Sequence, residues 1–488
     1  MPEVRVLRLS EMLLRQKGSP ARRIIHLIIT VALRLFFRRI ETSHAELVPM
    51  TGPLIFVLNH PNGLIDPALI FCALPRRVSF LAKSTLFRLP VLGWLMREVD
   101  ALPVYRRIDK GEDVSQNRQT FAACYELLRR ERCIAVFPEG ISHNSTFLLP
   151  VKTGAARIAL GALSVKGKRN GPAEKMTLRI VPVGLYYTSK TSFRSEALLR
   201  FGSYIEVQAI EADENGEPPR EAVKLLSGQI EAALREVTLN VEDTRALEEI
   251  NRAEQLFSSL YESMNFRQSL SDEFDLRRRF AEERKFYRTQ SPERMEELLR
   301  RIMKYEEELG SLGITSENLS VYTHSRWYVF QHFLLKGLLL LLFSPLALAG
   351  ALLHYPAYLL CDILAHHYQK HGADDVVSTV KILAAVVLMP LTWIVVTVLA
   401  YIFLGWRVAL MVFPLVILCG YLAMHCLEEM DEMKGWYRAL RVLLGERKIF
   451  IRLIRERRLL HNEIRRLARE TGTGRDNSGP ASASGFKR

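Results

Sequence analysis

The chain has 488 residues, about half of them apolar, and a formal net charge of +14 from 67 Lys and Arg against 53 Asp and Glu. That apolar content excludes a disordered chain, and the length exceeds one ordinary domain. The basic excess suits anionic lipid or anionic small molecules; nucleic acid is disfavoured, because long apolar runs share the chain and neither a zinc spacing nor an aromatic RNA-binding signature occurs.

Residues 1–45 begin with Arg15, Lys17, Arg22 and Arg23, followed by an apolar run over 24–37 that Arg34 interrupts and Arg38 and Arg39 close. The run is too short and too charged for a membrane span, so a basic interfacial helix is expected, its arginines reaching toward headgroups. No small-residue cleavage site follows it, so it does not read as a removable signal peptide. Residues 46–215 alternate strand and helix patterns. Short apolar runs at 54–58, 78–82, 101–104, 134–137, 178–184 and 199–207 predict strands, and 116–132 and 153–165 predict helices between them. The fold class expected is α/β with a mostly parallel central sheet, followed by a helical insert and C-terminal membrane helices.

Residues 216–328 turn charged and helical, with segments at 242–264 and 292–309. Ser291-Pro292-Glu293 has the composition of a helix start and Gly310 that of its end. Within 329–430, the runs 337–361, 382–406 and 408–427 hold no Asp, Glu, Lys or Arg, and each is long enough to cross roughly 30 Å of hydrocarbon. Only Arg407 separates the last two. Pro345 and Pro356 are expected to bend the first run or make it a half-spanning loop. Residues 431–470 form a basic helix, with Arg457, Arg458, Arg465 and Arg466, that the charge rule puts in the cytoplasm. The six cysteines show no close pair, and several sit in apolar runs, which points to a reducing compartment for the soluble part. If the α/β region and the basic tail share that side, the crossings are even in number. Two runs then cross, and 337–361 is the expected re-entrant or interfacial exception. Residues 471–488, rich in Gly, Ser and Ala, are expected to be disordered.

The segment that carries chemistry is Asn59-His60-Pro61-Asn62-Gly63-Leu64-Ile65-Asp66-Pro67. His60 ends a predicted strand, Asn62-Gly63 is a turn pair, and Asp66 stands at a helix start before Pro67. Strand end, turn and helix start can bring His60 and Asp66 together. A neutral imidazole oriented by a carboxylate can take the proton of an attacking hydroxyl; two side chains that merely cap a loop are the bland alternative. Phe137-Pro138-Glu139-Gly140-Ile141-Ser142-His143 also follows a predicted strand. Gly140 permits close approach of a ligand to backbone N–H groups, and Glu139 suits either a substrate hydroxyl or a nearby arginine. Arg106 and Arg107, at a third strand end, suit a phosphate or else a solvated surface.

The order Asn59-His60…Asp66, Pro103-Val104-Tyr105-Arg106, Phe137-Pro138-Glu139-Gly140 and Val181-Pro182-Val183-Gly184 resembles the glycerolipid acyltransferases typified by bacterial 1-acylglycerol-3-phosphate acyltransferase, over about residues 40–210. The usual family spacing puts four residues between His and Asp; here there are five. The fungal glycerol-3-phosphate and dihydroxyacetone-phosphate acyltransferases, which also carry five, are more similar. Ser142-His143, Leu148-Leu149-Pro150-Val151-Lys152 and Phe193-Arg194-Ser195 resemble that branch too. The resemblance implies that His60 is the general base and Asp66 orients it, and that Arg106, Arg107, Glu139 and Gly140 bind the acceptor phosphate. Ser142, His143 and Lys152 are candidate further substrate contacts. It also implies acyl-CoA or a related thioester as donor and co-substrate, no other cofactor and no metal. Glycerol 3-phosphate, dihydroxyacetone phosphate or their lyso product would be the acceptor, and membrane lipid the setting. Acylation of lysophosphatidic acid is the nearest rival. A hydrolase is disfavoured by the lack of a Gly-x-Ser-x-Gly elbow, and a nucleotide-driven enzyme by the failed P-loop spacing around Gly161 and Gly167-Lys168-Arg169. A non-catalytic membrane tether is the reading from outside enzymology.

Overall fold

The structure, a computed structural model, describes residues 4–6, 19–74, 76–106, 112–163, 177–190, 192–211, 217–262, 269–323, 325–370 and 377–470. Arg107 and the tail 471–488 lie outside the described residues. The chain divides into two units, Met1–Asn240 with Ala357–Pro390, and Val241–Pro356 with Leu391–Arg488.

The first unit is built on strand β3 (Leu54–Leu58), whose five residues are all buried. Leu54, Phe56 and Leu58 face one apolar layer, and Ile55 and Val57 the other. A strand that is apolar on both sides needs cover on both. One layer receives Ile25, Leu33 and Phe36 of α1 (Pro20–Phe36) and Leu69 and Ile70 of α2 (Ile65–Ala73). The other receives Leu128 of α4 (Asn117–Arg129), Ile158 of α5 (Gly154–Leu163) and Ile230 of α6 (Arg220–Val237). Helix α3 (Pro90–Glu98) lies between β4 (Val78–Lys83) and β5 (Leu102–Val104) in sequence. The remaining strands are β1 (Val4–Val6), β2 (Phe37–Ser43), β6 (Cys133–Val136), β7 (Leu178–Tyr187), β8 (Ser195–Phe201) and β9 (Ile205–Val207). The sheet runs β1-β2-β8-β7-β3-β6-β4-β5, with β9 beside β7. It is mostly parallel; among the described residues only β1–β2, β7–β8 and β7–β9 pair antiparallel.

Three expectations change. The apolar run 24–37 leads into strand β2, which its charges hide in the sequence. Those charges are paired, Arg38 and Arg39 reaching Glu196 of β8 at 2.9 and 2.8 Å. The single strand expected over 199–207 is two, β8 and β9, which run on in one direction along β7 with a break at residues 202–204. Helix α6, placed by composition with the charged insert, buries Val223, Leu226 and Leu234 in the first unit. The boundary therefore falls near 240 and not at 215. Helix α1 packs one face inward and leaves Ile24, Leu27, Ile28, Val31 and Leu35 exposed in a helical stripe. Arg22 does not turn outward; it is buried and paired with Asp100 at 2.8 Å.

In the second unit, α7 (Thr244–Glu262), α8 (Leu270–Gln290), α9 (Pro292–Ser311) and α13 (Arg447–Glu470) form one helical cluster. Phe274, Ile302, Phe450, Leu460 and Ile464 are buried in it. The basic segment 447–470 is therefore not a separate tail helix. Its apolar stripe needs the stripes of α7 and α9, and Arg301 binds Glu456 at 2.9 Å while Arg452 binds Glu308 at 2.8 Å. Ser291 makes no side-chain cap to α9, whereas α8 begins with a full capping box, Ser269 and Asp272.

Among the described residues, three helices are long and apolar enough to cross a membrane: Trp327–His367, Thr379–Leu404 and Trp406–Gly445, with mean hydropathy 2.0, 2.6 and 2.2. They lie in α10 (Arg326–Lys370), α11 (Val377–Leu404) and α12 (Trp406–Gly445). The half-spanning loop is not formed at 337–361: α10 is one continuous helix with Pro345 and Pro356 inside it. The break between the last two falls at Gly405 rather than Arg407, since its φ of 85° and ψ of 170° suit glycine alone. Within the second unit α10 and α12 run antiparallel. Lys336 pairs with Glu429 and Glu432 at 2.7 and 2.8 Å, and Gly350 lies against Cys419.

Candidate active site

Strands β3, β6 and β7 are parallel, so their carboxyl ends share one edge, the usual place for a site in such sheets. The chain leaves β3 at Asn59-His60. Asn59 continues the sheet with its side chain, Oδ1 accepting from Leu185 N–H at 2.7 Å and Nδ2 donating to Leu185 C=O at 3.0 Å. This fastens the residue before His60 to β7.

His60 Nδ1 lies 2.8 Å from Asp66 Oδ2. The one-residue-longer loop thus closes into a His–Asp pair. Its geometry comes from Asn62, whose backbone N–H donates to Asp66 Oδ2 at 2.7 Å, and from the first turn of α2, which carries Asp66. Asp66 has no solvent exposure, and Tyr187 O–H, from the end of β7, donates to its Oδ1 at 2.5 Å. Burial pushes the Asp66 carboxyl up, while the donors of His60, Tyr187 and Asn62 pull it back toward the ionised form. With Nδ1–H directed at a carboxylate, the lone pair is on Nε2. The ring of Phe137 stacks on the imidazole at 4.1 Å, fixing its plane.

Glu139 leaves β6 and turns inward. It is 2% exposed, and both oxygens are used: Oε1 accepts His60 N–H at 2.8 Å, and Oε2 accepts Leu149 N–H at 2.9 Å and the His143 Nε2–H. Both Glu139 oxygens are thus engaged by protein donors, in addition to the substrate contact expected of this residue. The carboxylate orders the loops that carry His60 and His143. His143 N–H donates to His60 C=O at 3.2 Å, and its Nδ1 accepts from Ser145 N–H at 3.1 Å. His143 thus serves the scaffold with both ring nitrogens.

Gly140 has φ 74° and lies under Lys152: a Cβ there would meet Lys152 Nζ at 2.5 Å. Arg106 Nη1 donates to Gly140 C=O at 3.0 Å. Arg106 is delivered by β5, whose following residue Tyr105 is clamped through both backbone groups by Asn117 at the start of α4. Lys190, just beyond β7, donates to His143 C=O at 3.3 Å and accepts Asn62 Nδ2–H on its own carbonyl at 3.3 Å. Arg106, Lys152 and Lys190 thus gather around 140–143, beside His60. Ser142 lies in that loop, half-buried. Leu64 N–H, at the start of α2, donates to Thr379 Oγ1 of α11 at 3.2 Å, and Thr379 is buried.

Sequence reading missed Tyr187, Lys190, Asn117 and Thr379. Only their positions after predicted strands or at helix starts could have marked Tyr187, Lys190 and Asn117. Thr379, more than 300 residues from its partner, gave no local signal.

The acyltransferase family matches residues 39–186, and the family described as glycerol-3-phosphate acyltransferase 2 C-terminal domain matches residues 254–473. Glycerol-3-phosphate O-acyltransferase 2 of Saccharomyces cerevisiae is 27% identical over 290 residues, covering 57% of this chain and 37% of that protein. Glycerol-3-phosphate O-acyltransferase 1 of the same yeast is 26% identical over 482 residues, covering 78% of this chain and 61% of that protein. The chain thus spans less than two thirds of the length of these relatives. A solved 1-acyl-sn-glycerophosphate acyltransferase from Thermotoga maritima aligns at 17% identity with a TM-score of 0.30, covering 46% of this chain and 87% of that one, a likeness too slight to argue from. The first family falls on the unit that carries His60 and the second on the helical cluster and apolar helices, so both parts of the chain are similar to glycerolipid acyltransferases, and the yeast glycerol-3-phosphate O-acyltransferases are among the relatives it matches.

Proposed function

We propose that this chain is a membrane-bound O-acyltransferase that moves a fatty acyl group from acyl-CoA or a similar thioester to glycerol 3-phosphate or dihydroxyacetone phosphate. The observation that carries the reading is the His60–Asp66 pair beside Arg106, Lys152 and Lys190 at one sheet edge. The acceptor hydroxyl oxygen attacks the thioester carbonyl carbon as its proton passes to His60 Nε2, and Asp66 stabilises the imidazolium. Collapse of the tetrahedral intermediate breaks the C–S bond. The departing sulfur takes the proton from His60, leaving an ester, a free thiol and a neutral imidazole. Arg106 and Lys152 hold the acceptor phosphate against the 140–143 loop.

The match of residues 254–473 favours an unacylated acceptor over lysophosphatidic acid. The exposed apolar stripe of α1 supports contact of this unit with the bilayer surface. The antiparallel α10–α12 pair supports an even number of crossings, with the α/β domain and the helical cluster both cytoplasmic. The test is transfer of labelled acyl groups from acyl-CoA by the purified full chain in detergent, with glycerol 3-phosphate, dihydroxyacetone phosphate, 1-acylglycerol 3-phosphate and glycerol as acceptors. Product is expected from the first two and none from glycerol. Equal use of glycerol would defeat the phosphate site, and preference for the lyso acceptor would move the protein to the rival step.

A further inference from the structure

Asp66 is wholly enclosed, yet it must stay ionised to hold His60 in the tautomer with Nε2 open. A buried carboxylate needs several donors. His60 Nδ1–H and Asn62 N–H both address Oδ2, leaving Oδ1 to Tyr187. Tyr187 is itself buried at the end of β7, and its ring stacks on Phe37 of β2, centroids 5.6 Å apart and 22° between planes. That stack aims the hydroxyl at Asp66 rather than at water.

We propose that Tyr187 is a positioning residue for the reaction: its hydroxyl holds Oδ1 of Asp66, so that the carboxylate stays charged and turned toward His60. This rests on the acyl-transfer reading above. The ionisable groups that bear on Asp66 are His60 from its own loop and Tyr187 from β7. Glu139 and His143, after β6, reach the His60 backbone, while Phe37 from β2 and Phe137 after β6 bring only rings. The phenol is held protonated, its pKa pushed far up by burial and by Asp66, so it acts only as a donor.

Tyr187→Phe keeps the ring and its stack and removes one donor. Loss of a donor from a carboxylate favours the protonated form, so the acid limb of the pH–rate profile moves upward. In the full chain in detergent, kcat is expected to fall about 10- to 100-fold, the scale of one bond to a charged group. Both KM values should stay within about twofold, and the acid limb should rise by about one pH unit. The Asp66→Asn/Tyr187→Phe double variant should be no slower than Asp66→Asn, because the hydroxyl works through the carboxylate. Unchanged kcat and pH profile in Tyr187→Phe, or a further loss in the double variant, would overturn the inference. So would a lowered melting temperature with no shift of the profile. A separate control guards the underlying reading: if His60→Ala transfers acyl groups at the wild-type rate, the reaction assignment fails whatever Tyr187 does.

Discussion

Glu139→Gln separates two jobs that a carboxylate in this motif can have. In the structure its oxygens accept from His60 N–H at 2.8 Å, Leu149 N–H at 2.9 Å and His143 Nε2–H, with 2% exposure. Glutamine is the same size but offers one oxygen and one NH2, so at least one buried donor then faces another donor. An unmet buried donor costs about 1–3 kcal/mol, and the bonds that survive lose their charge assistance, roughly half their strength. Together these put the loss of stability at about 2–4 kcal/mol. The donor most exposed to the change is the backbone of His60, and a shift of ~1 Å in a catalytic group can cost about a hundredfold in rate. Initial rates against acceptor and donor concentration, with thermal unfolding of the same preparation, read both effects. The expectation is a large fall in kcat, a lower melting temperature and an acceptor KM little changed. A raised acceptor KM with wild-type kcat and melting would refute the reasoning and return Glu139 to direct contact with substrate.

His60→Ala and Asp66→Asn should each lower turnover at least about a hundredfold with the fold retained; circular dichroism and single-turnover rates check this. Arg106→Ala should raise the KM for glycerol 3-phosphate more than that for acyl-CoA, and equal effects would contradict a phosphate contact. Thr379→Val removes the acceptor of Leu64 N–H at 3.2 Å and should lower kcat by about three- to tenfold, the scale of one neutral hydrogen bond; an unchanged rate would show that this contact does not steady the loop. His461, buried against Phe257 with Arg465 and Arg457 nearby, has its pKa lowered to about 4, first by burial. The folded state therefore binds this proton less readily than the unfolded one, and stability falls as pH drops from about 6.5 toward 4, by up to about 3 kcal/mol. Denaturant melts across that window should flatten in His461→Gln; an unaltered slope would locate the acid sensitivity elsewhere, for example at buried His26, also lowered to about 4.

Local pattern alone established a good part of this protein. The apolar run of β3, the turn pair Asn62-Gly63 and the helix start at Asp66 are neighbours in sequence, so their geometry follows from short-range sterics and hydrogen bonding, and the His60–Asp66 pair was legible. The three apolar helices were legible for the same reason, since length and lack of charge suffice to define them. What only the tertiary structure decided depends on partners far apart in the chain. Glu139 reads as a surface or substrate carboxylate, and only the fold brings the His60 and Leu149 backbones to it. Strand β2 looks too charged until Glu196 supplies the counter-charge, and the segment 447–470 looks like a free basic helix until Glu308 and the apolar stripes of α7 and α9 meet it. Burial and charge pairing are properties of the packed chain, and a one-dimensional pattern carries the need for a partner but not its identity.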